Sequence, residues 1–137
     1  MQIIPLAIPT PFYVGDVNVY LIKKDPLTLI DVGPKTDHAY RTLVENLGRE
    51  GIRLSDIRRI VLTHAHEDHC GLAKRVRDEA KDAEILVHTW ETGHLFGRLA
   101  RDQHRDLLLR SGVPPAVFED MMPSMVETSA GSASLVV

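Results

Sequence analysis

The sequence is short of cysteine, of excess positive charge and of long apolar runs, and each shortage removes a class of protein. Cys70 is the single cysteine among 137 residues, so no internal disulfide can staple the fold, and a reducing cytoplasm suits such a chain. Sixteen Lys and Arg against nineteen Asp and Glu leave a net charge of −3. No global basic field is therefore present to hold nucleic acid. Arg98, Arg101, Arg105 and Arg110 are interleaved with acids and polar residues and read as a solvated helix face. No apolar stretch approaches the ~20 residues of a membrane span. The start, Met1-Gln2-Ile3-Ile4-Pro5, lacks the basic-then-apolar order of a secretory leader. The expectation is a cytoplasmic chain with no membrane contact.

What remains is enough for one domain with a core: 44% hydrophobic and 26% charged residues are ordinary globular proportions. Gln2 to Ile8 is apolar. Val17 to Ile22 and Leu27 to Ile30 are rich in β-branched and aromatic residues and flank Asp25-Pro26, which predicts a hairpin. Asp31-Val32-Gly33-Pro34 breaks that pattern. Asp37 is the expected N-cap of a helix whose stripe is Ala39, Leu43, Val44 and Leu47, ending at Gly48 or Gly51. A strand over Ile57 to Leu62, a helix over Gly71 to Ala80, a strand over Glu84 to His88 and a helical segment from Thr89 to about Met122 complete the order. Trp90 and Phe96 read as core or cover. The fold class is mixed α/β, an antiparallel meander joined to βα units. There is no internal repeat and no second domain.

Chemistry concentrates in Thr63-His64-Ala65-His66-Glu67-Asp68-His69, directly after the apolar run Ile60-Val61-Leu62. Imidazole and carboxylate are the ligands that Zn²⁺ and similar borderline cations take. Residues two apart on an extended chain face one side, so His64 and His66 can reach one cation together. Asp68 and His69 follow as the chain turns toward the next helix and can serve a second. Two metals sharing an activated water suit hydrolysis of esters, thioesters, amides or phosphodiesters. Asp68 alone could instead cap the following helix. Glu67, between the candidate ligands, reads as solvated, Cys70 as a small buried thiol, and His88 as a residue packing or hydrogen-bonding behind the site.

His64-x-His66-x-Asp68-His69 resembles the signature of the metallo-β-lactamase-fold metallohydrolases, in particular the glyoxalase-II-like group. Asn18 to Ile22 followed by Leu29-Ile30-Asp31-Val32-Gly33 is similar to that family's opening hairpin and Asp-x-Gly turn, and Gly71 matches the glycine after the signature, whereas Leu72 departs from a second one. The resemblance implies an αββα sandwich present as its N-terminal half, with residues 1–122 forming the incomplete domain and 123–137 an irregular tail. It implies that His64 and His66 bind the first metal, that Asp68 and His69 bind the second, with Asp68 also the catalytic carboxylate, and that Asp31 orients ligands from beneath. The cofactor it implies is Zn²⁺, two ions per complete site, with iron or manganese suited to the same donors. The reaction it implies is attack of a metal-bound hydroxide on an ester, thioester or related bond of a small molecule. An iron-dependent persulfide-type oxygenase shares the fold and stands as an alternative.

The family draws three further ligands, two His and a bridging Asp, from its second half. After residue 90 this chain offers His94 and His104, in unlike contexts, and neither is assigned. The expectation is a chain ending near the middle of the fold: a truncated gene product, an incomplete sequence, or a half that pairs with another chain. A catalytically incomplete fragment or binding partner is the non-enzymatic reading, with self-association through an uncovered sheet face.

Overall fold

The structure is a computed structural model that describes residues 1–92, 109–112, 114 and 135–136. Its sheet is mixed, with strands in the order β1 to β6 across it: β1 (Gln2–Ile8), β2 (Val17–Lys23), β3 (Thr28–Ile30), β4 (Arg59–Leu62), β5 (Glu84–Val87) and β6 (Leu135–Val136). The first three strands are antiparallel and the rest run parallel to β3. The predicted meander and βα units are thus present. Two residues of the segment read as tail, Leu135 and Val136, pair with Ile85 and Leu86. Pro5 lies within β1 and is tolerated there because β1 is an edge strand, where a missing N–H can face away from the ladder.

Helix α1 (Asp37–Arg49) connects β3 to β4; α2 (Glu67–Cys70) and α3 (Ala73–Glu79) connect β4 to β5. Both crossovers step the same way through the sheet, and right-handed crossovers in one direction put their helices on one face. The core agrees. Leu6, Ile8, Val19, Leu21, Leu29, Ile60, Leu62, Ile85 and Val87 alternate along the strands and join Ala39, Leu43, Leu47, Ala73 and Val76 of the helices in one buried cluster. The predicted stripe on α1 loses one member: Val44 is 39% exposed, since the i, i+4, i+8 spacing of Ala39, Leu43 and Leu47 already fills the face toward the sheet.

Two boundaries differ from the sequence reading. Thr36, not Asp37, caps α1: its Oγ1 accepts from the Ala39 N–H at 3.1 Å. Asp37 occupies the first turn and pairs with Arg75 at 2.7 Å. The helix expected over Gly71 to Ala80 is α3, starting at Ala73, and a separate helical turn, α2, precedes it at Glu67–Cys70, so the second half of the His-rich run is itself helical.

The other sheet face carries the row Tyr20, Ile30, Val61 and Leu86, aligned side by side by the strand register. Tyr20 is exposed and its three neighbours are half-buried. No described helix packs there.

Gly71 seats α2 against the turn that follows β3. A Cβ at this position would lie 2.5 Å from the Lys35 nitrogen and 2.6 Å from the Glu67 carbonyl oxygen, both backbone atoms that cannot swing aside. Gly71→Ala is therefore expected to cost about 2–3 kcal/mol through overpacking, measured as a fall in the urea midpoint at unchanged slope.

Candidate metal centre

The carboxyl ends of the parallel strands open on one edge of the sheet, where open α/β sheets bind their ligands. Asp31 leaves β3, Thr63 to His66 leave β4, and His88 to Glu91 leave β5. Asp31 has φ of 60° and Gly33 φ of 87°. Two left-handed residues in three fold the chain sharply back, so the Asp31 carboxylate turns in under the His-rich run and is almost wholly buried.

That carboxylate organises its surroundings. Oδ1 accepts from the Thr63 N–H at 2.8 Å, and the Thr63 hydroxyl donates to the same carboxylate, 2.8 Å from Oδ2 and 3.0 Å from Oδ1. Oδ2 also lies 2.9 Å from His69 Nδ1. A carboxylate only accepts, so His69 carries its proton on Nδ1 and leaves Nε2 as the lone-pair nitrogen. The single Thr63 hydroxyl proton is already donated to Asp31. The 3.0 Å contact of its Oγ1 with His64 Nδ1 is then an Nδ1–H donating to oxygen, and His64 also presents Nε2. The backbone reinforces this: Val32 N–H donates to the His69 carbonyl at 2.9 Å and Asp31 N–H to that of Val61 at 2.8 Å.

The three imidazoles cluster, with ring centroids of His64 at 4.6 Å from His66 and 4.3 Å from His69. Asp68 Oδ2 stands 3.6 Å from His69 Nε2. Burial, then the neighbouring His69 and His66, push the His64 pKa below its ordinary value, which favours the neutral ring a metal needs. Donor types and the Nε2 lone pairs of His64 and His69 fit a borderline divalent cation. Among the described residues, no three His, Cys, Asp or Glu already stand in metal-holding geometry. Closing a set requires ring rotation or further donors.

The metallo-beta-lactamase superfamily, as a family model, matches residues 12–128. The chain belongs to the metallo-β-lactamase superfamily. It is 48% identical over 94 residues to the probable metallo-hydrolase YqjP of Bacillus subtilis (strain 168), an alignment covering 69% of this chain and 28% of that protein. It is 41% identical over 69 residues to the anaerobic nitric oxide reductase flavorubredoxin of Salmonella arizonae, covering 50% of this chain and 14% of that one. Among solved structures, the metallo-beta-lactamase family protein TTHA1429 from Thermus thermophilus superposes with a TM-score of 0.80 at 25% identity, over 98% of this chain and 45% of that chain. BJP-1, a subclass B3 metallo-beta-lactamase of Bradyrhizobium japonicum, gives 0.55 at 28% identity, over 71% and 35%. The α/β architecture is thus the metallo-β-lactamase fold in part, and the chain spans less than half the length of these relatives.

Within this superfamily member, His64, His66, Asp68, His69 and Asp31 all stand at one sheet edge, while His94 and His104 lie outside the described residues, as do Phe96, Arg98, Arg101 and Arg105. Three readings change. Glu67 is half-buried rather than solvated, and burial followed by the Asp68 charge raises its pKa, with Lys35 opposing. Trp90 is 83% exposed, because the 3₁₀ turn Thr89–Glu91 rotates it outward. His88 is exposed at the strand end, with Nδ1 accepting from the Trp90 N–H at 3.3 Å, so it caps its own turn rather than packing or hydrogen-bonding behind the site. Cys70 is buried, which pushes its thiol up to about 12. Sequence reasoning missed Glu91, whose Oε2 accepts from the Ala65 N–H at 2.9 Å. No local pattern marks it, since the contact bridges 26 positions.

Asp31→Ala is expected to cost about 2–3 kcal/mol, because it removes the acceptor of several part-buried donors and places Ala in a left-handed conformation. Asp31→Asn, which tolerates that φ and keeps one acceptor, is expected to cost about half as much; equal losses in chemical denaturation would contradict this account.

A histidine whose folded pKa lies below its unfolded value binds fewer protons when folded. Its contribution to stability is full above the ordinary value of 6.5 and is lost as pH falls toward the lowered one. The metal-free chain is therefore expected to lose stability as pH falls below about 6.5, and His64→Gln to flatten that slope, read by urea denaturation at each pH.

Proposed function

We propose that this chain carries one half of the dinuclear centre of a metal-dependent hydrolase acting on a small ester, thioester or related bond. His64 and His66 hold the first metal, Asp68 and His69 hold the second, and Asp31 orients the ligands from beneath. The observation that supports this most is the hydrogen-bond chain from Asp31 through Thr63 to His64 and directly to His69, which leaves both Nε2 atoms available at the edge. A divalent cation bound there would act as a Lewis acid and lower the pKa of water. The chain's own groups then have separate tasks. Asp31 holds the Nδ1 protons in place, partly through the Thr63 hydroxyl. Asp68, on the same turn as His69, ligates and orients the attacking water as the catalytic carboxylate. Cys70, held protonated by burial, takes no part.

Zinc is the proposed metal. The flavorubredoxin relatives are by name nitric oxide reductases, which keeps a redox-active ion such as iron as the second reading, together with a persulfide-type oxygenase. The chain's span of 28% of YqjP and the apolar row Tyr20, Ile30, Val61 and Leu86 support a third, a catalytically incomplete half that meets a second copy or another chain through that face.

Elemental analysis and thioester turnover of the purified chain separate these readings. The hydrolase reading expects zinc at about one ion per two chains or more, turnover of a generic thioester, and a loss of both by about tenfold or more in His66→Ala. Iron in place of zinc supports the redox reading. Less metal than that, with turnover no higher than in His66→Ala, removes the hydrolase reading for this chain.

A further inference from the structure

Strands β4 and β5 are parallel and end level, Leu62 opposite Val87. Three residues beyond Leu62 lies Ala65, between the two imidazoles of the His64-x-His66 pair, and four beyond Val87 lies Glu91. The pairing brings both exits to one height, and the 3₁₀ turn Thr89–Glu91, closed by the Glu91 N–H on the His88 carbonyl at 2.9 Å, swings the Glu91 side chain toward β4. Its Oε2 accepts from the Ala65 N–H at 2.9 Å in a partly buried setting. The Ala65 methyl packs against the core cluster. The Ala65 peptide is therefore gripped twice, by its side chain and by its N–H. Rotation of that peptide about the chain axis would carry His64 and His66 with it, because residues on either side of a fixed extended residue share its opposite face.

From this contact we infer that Glu91 is the positioning residue of the His64-x-His66 pair, fixing from the neighbouring strand the peptide on which both imidazoles hang. Its carboxylate acts through the backbone of Ala65 and not through a candidate ligand's side chain. Its role toward a metal rests on the metal-centre reading above; the contact with Ala65 does not.

The experiment compares wild type, Glu91→Ala, Glu91→Gln and the surface control Glu84→Ala, each as the 137-residue chain. Amide hydrogen exchange at Ala65 is measured without metal, and Co²⁺ is titrated by its visible absorption. Removing a charged acceptor is expected to speed Ala65 exchange about tenfold or more in Glu91→Ala while exchange in β1 and β2 stays unchanged. Co²⁺ affinity is expected to fall about ten- to hundredfold. Glu91→Gln, which keeps a side-chain oxygen of the same reach, is expected to recover most of both, and Glu84→Ala to match wild type. Ala65 exchange in Glu91→Ala equal to wild type, or a Glu91→Gln no better than Glu91→Ala, overturns the proposal. A wild type that protects Ala65 yet takes up no Co²⁺ defeats the metal reading instead, so the two failures are told apart.

Discussion

One buried carboxylate joins three segments that are distant in sequence. Asp31 follows β3, Thr63 follows β4, and His69 sits in α2, and all meet at the two oxygens of Asp31. Hydrogen bonds to a charged group contribute about 1.5–3 kcal/mol each, but burying that charge costs several kcal/mol. The net effect on stability is modest, and the larger effect is on orientation. With Asp31 as a pure acceptor, each donor around it has one permitted arrangement, and the tautomers of two histidines follow. The left-handed backbone at Asp31 and Gly33 is the local cost of bringing that acceptor beneath the site.

Much of the architecture was legible because its signals are local. Strand runs with β-branched residues, the Asp31-Val32-Gly33-Pro34 break, and the α1 stripe each follow from spacing alone, and the density of His and Asp between residues 64 and 69 marks the site. What the sequence concealed is non-local or decided by competition. Thr36 and Asp37 both favour an N-cap; Thr36 takes it, leaving Asp37 to reach Arg75, 38 positions away. The start of α2 inside the His-rich run is hidden because His66 and Glu67 carry no strong helix-start signal. Trp90 reads as cover by its size, yet the turn that brings Glu91 inward sends its neighbour out. The helical pattern from Leu95 to Leu108 lies outside the described residues.

The sheet divides the chain into two surfaces of unequal finish. On one side, the strands and helices interlock into a single aliphatic core. On the other, aromatic and branched side chains form a row across four strands that no described helix meets. The superfamily relatives are more than twice as long as this chain, so their folds have additional material with which to meet such a row. The same asymmetry applies to the site. Its donors all come from the edge of one sheet, whereas a cation prefers ligands on more than one side.

The even ends of β4 and β5 mean that the site is gauged by strand register and not by what lies between the strands. The crossover through α2 and α3 can lengthen or shorten beyond Gly71 without moving Ala65 relative to Glu91, because both are counted from the paired residues Leu62 and Val87. A single residue inserted between Leu62 and His64 has the opposite character. It would turn the imidazole pair to the other side of the chain and carry the Ala65 N–H out of reach. Length variation is therefore expected to be tolerated in α3 and damaging within a window of a few residues past each strand, a ruler written in the backbone and not in the candidate ligand side chains.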